Sequence, residues 1–408
     1  MNKKKGILIA CALVFLVLVP QIHALLMDST YSPLLSLCRK QNHALFYQDH
    51  TWSKILGKLL PSERGYAVQQ VRDGGYILLG DSDGTWLLKM DTVGNIEWET
   101  QLGGGGVYVE ETDDGGFIIA TQGAGLLKTD ADGNEVWRRS FPSSGWMWGD
   151  RLVQQTEDQG YILIATKNNT QALLIKTDES GNELWNRTYG GKKHDHGKSV
   201  QQTTDGGYIF TGFTCSYGIE EQYKRKIWLV KTDSEGIEEW NTTLGEEYYV
   251  SWGCSVEQTM DGGYIVGGGD AQGGCLIKTD RQGKTEWKTS FDEYECDTIY
   301  SVQQTVDGGY ILTGSSGEGY FFAMDLYLIK VYQPGAVQWV KIFGEPYNYE
   351  YGNCVRQTSD GGYIVTGVKQ RFSVYSGMTP FFLDMWVIKT DEQGKSDNVN
   401  YLRHPCFL

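Results

Sequence analysis

The chain has 408 residues, of which 40% are apolar, 21% are charged and 52 are glycine. This composition excludes a disordered chain and is typical of a folded, turn-rich protein that could form one large all-β domain. The formal net charge of -15 repels phosphate backbones, so we expect no nucleic-acid partner.

The first 24 residues have the pattern of an export signal. Lys3, Lys4 and Lys5 form a basic start, residues 6–19 are apolar, and the segment ends at Ala24 in a typical cleavage sequence. A secreted or cell-surface location follows, with an uncleaved membrane anchor as the alternative. Residues 25–50 are interpreted as an N-terminal extension without an assigned role.

One phrase, Asp-Gly-Gly-Tyr-Ile with small departures, recurs seven times at intervals of 41 to 56 residues. The copies start at Asp73, Asp114, Asp158, Asp205, Asp261, Asp307 and Asp360. Each copy continues into an apolar run that ends in lysine, then a glycine turn. A tryptophan follows in six of them, at Trp98, Trp137, Trp185, Trp240, Trp287 and Trp339. Repeats of this length indicate a propeller blade.

The seventh tryptophan lies upstream of the first repeat, because the sequence around Trp52 matches that around Trp339 in residue type and spacing. The last unit is therefore divided between the two ends of the chain. An N-terminal strand that completes the last blade would close the ring and remove two exposed sheet edges.

Within each unit we predict four short strands, named A to D. In the fourth unit they cover residues 199–203, 208–212, 227–232 and 239–244. Glycine turns join A to B and C to D. The predicted fold is an all-β, seven-bladed propeller over residues 51–394, with a C-terminal tail at 395–408. We expect the seven tryptophans to pack between blades.

The pattern Val-Gln-Gln-Thr-x-Asp-Gly-Gly-Tyr-Ile, followed by Lys-Thr-Asp-x-x-Gly-x-x-x-Trp, resembles secreted prokaryotic β-propeller proteins over residues 52–394. It is also remotely similar to WD40 and quinoprotein-like propellers. These resemblances imply the fold and an expectation of binding, since one fold hosts many activities. No Cys-Cys dipeptide occurs, so quinone binding is not expected and no cofactor is predicted.

A WD40-like strand order would place the D-to-A and B-to-C connections on one face of the ring. Long loops on a rigid scaffold often carry binding residues, and these connections are rich in aromatic side chains. The predicted ligand-binding residues are Trp146, Trp148, Tyr248, Tyr249, Trp252 and Tyr349. The competing interpretation is that these side chains pack together and cap the ring.

The compact group His194-Asp195-His196 is a weak candidate for zinc or copper, and no metal site is predicted from it. The paired glutamines of strand A, such as Gln69 and Gln70, are expected to make hydrogen bonds within the scaffold. One glutamine of each pair is expected to face the central channel, where Glu110 would introduce charge.

Three hypotheses for function remain open. The first is an extracellular binding or scaffold propeller that presents an aromatic, acidic loop face to a glycan or protein ligand. The second is an extracellular polysaccharide hydrolase or lyase, although the sequence does not single out a carboxylate pair. The third and most remote is a quinone-dependent oxidoreductase.

Overall fold

The computed structural model describes residues 51–57, 62–142, 147, 149–217, 224–245, 251–316, 324–345, 348–372, 381–397 and 399. The proposed signal peptide, the extension at 25–50 and the tail beyond residue 399 lie outside this part of the chain. In the described residues, 28 strands form seven four-stranded antiparallel sheets, as predicted. No helix in these segments is long and apolar enough to span a membrane.

The strands follow the predicted order A to D in each blade. The first three blades consist of β2 (Arg64–Gln70), β3 (Tyr76–Asp81), β4 (Thr85–Met90), β5 (Ile96–Leu102); β6 (Gly106–Glu111), β7 (Phe117–Thr121), β8 (Gly125–Thr129), β9 (Glu135–Ser140); and β10 (Val153–Gln155), β11 (Tyr161–Lys167), β12 (Gln171–Thr177), β13 (Glu183–Tyr189). Blades 4 and 5 consist of β14 (Asp195–Gln202), β15 (Tyr208–Thr214), β16 (Lys226–Thr232), β17 (Glu238–Leu244); and β18 (Trp252–Gln258), β19 (Tyr264–Asp270), β20 (Gly273–Thr279), β21 (Thr285–Ser290). Blades 6 and 7 consist of β22 (Cys296–Gln304), β23 (Tyr310–Ser316), β24 (Leu326–Val331), β25 (Val337–Phe343); and β26 (Glu350–Gln357), β27 (Tyr363–Phe372), β28 (Phe381–Thr390) with β1 (Trp52–Leu56).

Ring closure by the N-terminal strand is confirmed. Strand β1 pairs with β28 in antiparallel register, with Trp52 opposite Lys389 and Ile55 opposite Trp386. The indole of Trp386 donates a hydrogen bond to the hydroxyl of Ser53 at 2.8 Å. Both ends of the propeller are thus held in one sheet.

The fourth blade shows where the predicted strand bounds fall short. Its strand A begins at Asp195, four residues before the predicted start at 199. A β-bulge between Gly197 and Ser199 absorbs one residue and lets the pairing with β15 continue beyond it. The same bulge recurs in strand A of five other blades, and in four of them it also starts at a glycine, at Gly65, Gly106, Gly253 and Gly352.

Strands B and C are buried on both faces, and the hydrophobic core lies between neighbouring blades. The strand D tryptophans pack there, as predicted. The ring of Trp137 meets that of Tyr161 in the next blade at 5.7 Å between centroids. A Cβ at Gly181, in the next blade's C-to-D turn, would stand 2.6 Å from the same indole. The turn glycine therefore provides both a positive φ and the space for the tryptophan.

Each strand C lysine is buried and forms an ion pair with the aspartate of its own A-to-B turn. Lys176, with 5% of its side chain exposed, lies 2.8 Å from Asp158 and also donates to the carbonyl of Thr177. The same pair recurs in all blades, at Lys89–Asp73, Lys128–Asp114, Lys231–Asp205, Lys278–Asp261, Lys330–Asp307 and Lys389–Asp360. The repeated Asp and Lys of the sequence thus fasten the turn to strand C.

We expect Trp137→Ala to lower the free energy of unfolding by about 3 kcal/mol. This value is at the lower end of the range for large-to-small aromatic substitutions, because part of the indole remains exposed. Denaturant titration would measure it. The matched control is Val136→Ala at the neighbouring position, where the side chain is 60% exposed and a change within about 0.5 kcal/mol is expected. Similar effects for the two variants would contradict an interblade role for the tryptophan.

Candidate functional site

A cavity of about 600 Å³ lies at one end of the central channel. Every blade contributes to its wall, through a residue on strand A or on the segment that leads into it. These residues are Arg64, Val107, Gly149, Lys198, Cys254, Tyr300 and Asn353. Met324, at the end of the B-to-C connection of blade 6, lines the same cavity. Gln370 and Leu383 also line it, from the strands that flank the B-to-C connection of blade 7, so both sets of connections meet at this end.

Four tyrosines form the aromatic part of the wall. They are Tyr66, Tyr300, Tyr349 and Tyr351. The rings of Tyr349 and Tyr351 meet edge to face, with centroids 5.5 Å apart, and Tyr300 lies 6.3 Å from Tyr351. Burial raises the pKa of Tyr300 to about 12, so its phenol stays neutral and available for hydrogen bonding.

Two cationic side chains, Arg64 and Lys198, also line the cavity. No carboxylate is among the lining residues in the described part of the chain. Asp81 lies behind the wall, where it accepts hydrogen bonds from the backbone NH of Arg64 and the hydroxyl of Tyr66 at 2.9 and 2.8 Å. The cavity is therefore locally positive in a chain with a net charge of -15.

A buried ion pair between blades 3 and 7 lies next to the residues that line the cavity. Asp150, which precedes strand A of blade 3, lies 2.7 Å from the guanidinium of Arg356 on strand A of blade 7. The hydroxyls of Ser255 and Ser301 donate to Asp150 at 2.9 and 3.0 Å. Both charged side chains are buried. Because the donors come from blades 5, 6 and 7 and Asp150 belongs to blade 3, this network connects opposite sides of the ring.

A second cavity, of about 330 Å³ and here called the lower cavity, is lined mainly by the strand A glutamines and also by Arg356. The side-chain oxygen of Gln154 accepts a hydrogen bond from the backbone NH of Gln202 in the next blade at 2.7 Å. Equivalent bonds join other blades through Gln69, Glu110, Gln201, Glu257 and Gln303. The prediction of a channel-facing set that makes scaffold hydrogen bonds is confirmed.

Glu110 brings a titratable group into the lower cavity, as expected from its place in the repeat. Burial raises the pKa of its carboxyl to about 7, although the neighbouring Arg151 and Arg356 oppose the shift. Arg151 has a positive φ of 51°, which is unusual for a residue with a side chain. Its Nη1 atom has no hydrogen-bond partner.

Two of the six predicted ligand-binding residues, Tyr349 and Trp252, lie in the described part of the chain. Tyr349 lines the channel-mouth cavity. Trp252 begins strand A of blade 5, is half-buried, and is not among the residues that line the cavity. Trp146, Trp148, Tyr248 and Tyr249 lie outside the described residues.

In the His194-Asp195-His196 group, the two histidines and the aspartate form hydrogen bonds with different partners. Both imidazoles donate to the carbonyl of Asn169, at 2.8 and 3.2 Å, and burial lowers the pKa of His196 to about 4. Asp195 is occupied by donors that include the hydroxyl of Ser216 at 2.6 Å. Within the described residues, no three His, Cys, Asp or Glu side chains lie close enough to hold a metal ion.

The sequence reasoning missed the charged residues of the channel, Arg64, Asp150, Lys198 and Arg356. Arg356 had a signal, since it replaces a glutamine of the repeated Val-Gln-Gln-Thr. Arg64 and Asp150 lie at or before the start of strand A, where the repeats differ in length, and Lys198 lies at the bulge of β14. No alignment of the units could show that they converge.

No family model matches this chain, and no curated protein is similar to it. Among solved structures, it is similar to a protein of unknown function from Bacteroides caccae, with 14% identity, a TM-score of 0.46, and coverage of 69% of this chain and 93% of that one. For BamB from Moraxella catarrhalis, the identity is 12%, the TM-score 0.41, and the coverage 78% and 81%. For the C-terminal WD40 domain of Sif2, the values are 10%, 0.49, 81% and 83%. At these identities and scores, none of the similarities assigns a function.

We expect Glu110→Gln to make stability less dependent on pH. Because the pKa of Glu110 is raised in the folded protein, its contribution to stability is complete below the unfolded value of 4.5 and is lost as the pH rises through about 7. Glutamine occupies the equivalent place in blades 1, 3, 4 and 6, so the variant should fold. Urea titrations from pH 4 to 8 would measure the change. The wild type should lose stability relative to the variant as the pH rises, and parallel curves would contradict the burial of a titrating Glu110.

Proposed function

We propose that this chain is an exported binding protein that holds a small acidic saccharide in the channel-mouth cavity. One observation carries the proposal: Arg64 and Lys198 share a cavity with four tyrosines, and no carboxylate lines it in the described residues. A secreted or cell-surface location, based on the first 24 residues, is part of this proposal.

The lining groups match the chemistry of a sugar acid. Tyrosine rings offer flat apolar surfaces for a pyranose, and their hydroxyls exchange hydrogen bonds with sugar hydroxyls. Arginine and lysine make charge-assisted hydrogen bonds to a carboxylate, which are stronger than neutral ones. The amides of Asn353 and Gln370 add neutral donors and acceptors to the same wall.

The shape of the cavity favours a small ligand over a protein surface. A volume of about 600 Å³ lies within the usual range of sites for small molecules. Binding without turnover is proposed because Asp150, the carboxylate next to the lining residue Gly149, is already engaged by a guanidinium and two hydroxyls.

The role of Lys198 is testable by titration calorimetry with digalacturonate and with its dimethyl ester as a neutral counterpart. The wild type should bind the acid more tightly than the ester. We expect Lys198→Gln to weaken binding of the acid about tenfold or more, because a charge-assisted hydrogen bond contributes about 1.5 to 3 kcal/mol. Binding of the ester should change little.

The matched control is Lys284→Gln, which removes the same charge from an exposed C-to-D turn at the other end of the ring. It should leave the affinity unchanged. Equal losses in the two lysine variants would show that only the overall charge matters. If neither the acid nor the ester binds at millimolar concentration, the proposal is wrong for this ligand class. Release of monosaccharide during the titration would favour the hydrolase alternative.

A further inference from the structure

Glu350 is a buried carboxylate near which, among the residues that the structure describes, only Lys369 and Asn348 favour the charged form. It begins strand A of blade 7, its relative exposure is 0%, and it lies at the contact with blade 6. Neither of its carboxylate oxygens has a hydrogen-bond partner. An ionised carboxylate in this state costs several kcal/mol unless another group neutralises it.

A second acid faces Glu350 across the blade contact. Asp325 Oδ1 and Glu350 Oε2 lie 2.6 and 3.4 Å from the point where a Cβ on Gly344 would stand. Because Gly344 has no side chain, the space between the two carboxylates is open. Burial, reinforced by Glu295, raises the pKa of Asp325 to about 6. Burial also raises the pKa of Glu350 to about 8, with Lys369 opposing the shift and Asp325 and Glu345 adding to it.

The equivalent positions in two other blades show which hydrogen bonds normally form to a buried polar side chain at this place. The backbone NH groups of Asp195, Ser251 and Glu350 each donate to a carbonyl at the end of the preceding blade's B-to-C connection, at Thr170, Arg225 and Met324. Asp195 is satisfied by the hydroxyls of Thr214 and Ser216 and by nearby backbone NH groups. Ser251 donates its hydroxyl to the carbonyl of Arg225. Glu350 has no comparable set of partners.

The contact between blades 7 and 1 repeats the acid pair but contains its own cation. There, Glu63 and Asp384 lie on either side of Gly57, and Arg371 forms an ion pair with Asp384 at 2.9 Å. Between blades 6 and 7, the ammonium of Lys369 is instead paired with Glu345 at 2.9 Å. Asp325, Glu345 and Glu350 against Lys369 alone leave a formal charge of -2 among these described residues.

We propose that Asp325 and Glu350 bind a hard divalent cation, with Ca²⁺ as the best match, between blades 6 and 7. Calcium prefers carboxylate and carbonyl oxygens and completes an irregular shell with water, whereas a shared proton would neutralise only one of the two charges. The site adjoins the channel mouth, because Glu350 donates its backbone NH to Met324 at 2.7 Å and Met324 lines the cavity. A bound cation would therefore fix the wall formed by Met324 and Tyr349.

Thermal unfolding of the full chain at pH 7.5, with CaCl₂ or with EDTA, tests the proposal. Ca²⁺ should raise the Tm of the wild type, because a ligand that binds only the folded state stabilises that state. Glu350→Gln and Asp325→Asn should each abolish this rise. The matched control is Glu157→Gln, an exposed acid on an A-to-B turn, which should keep it. In EDTA, Glu350→Gln should be at least as stable as the wild type, because the substitution removes a buried charge that the neighbouring carboxylates repel.

Terbium luminescence provides a direct readout of occupancy. Tb³⁺ bound at this site should be sensitised by the nearby tyrosines 349 and 351, and added Ca²⁺ should displace it. The proposal is overturned if millimolar Ca²⁺ neither shifts the Tm nor displaces Tb³⁺, or if Glu350→Gln responds as the wild type does.

Discussion

The contact of each strand D tryptophan with the following blade determines the rest of the structure. Seven indoles, from Trp52 to Trp339, lie against a turn glycine and an aromatic ring of the next blade, with ring centroids 5.7 to 6.0 Å apart. A blade cannot bury its faces alone, so this repeated contact sets both the angle between blades and their number. Seven equivalent contacts close the ring when Trp52 joins the last sheet.

The sequence was sufficient for the fold because its information is repeated. Asp-Gly-Gly-Tyr, the strand C lysine and the strand D tryptophan each recur seven times, so one ambiguous copy does not change the result. The match between Trp52 and Trp339 even predicted the seam. Strand bounds were less certain, as the bulge at Gly197 shows, because the extra residue of a bulge breaks the alternation of side chains from which strand bounds are predicted.

The cavity was harder to predict because its residues are the ones that do not repeat. Arg64, Lys198 and Asn353 come from blades 1, 4 and 7 and meet only at the ring axis. Their convergence depends on the lengths of connections and on where each strand A begins. Aromatic content selected Tyr349, which lines the cavity, but it also selected Trp252, which is not among the lining residues. Repeat patterns in the sequence therefore predict the symmetric scaffold but not its asymmetric site.

The seam and the guanidinium of the buried ion pair belong to the same sheet. Blade 7 carries β1 at its outer edge and Arg356 on β26 at its inner edge, and Arg356 holds Asp150 across the axis. Separation of β1 would leave β28 with an unpaired edge and loosen the sheet that anchors this guanidinium. Closure of the ring and the buried ion pair across its axis therefore depend on the integrity of one sheet.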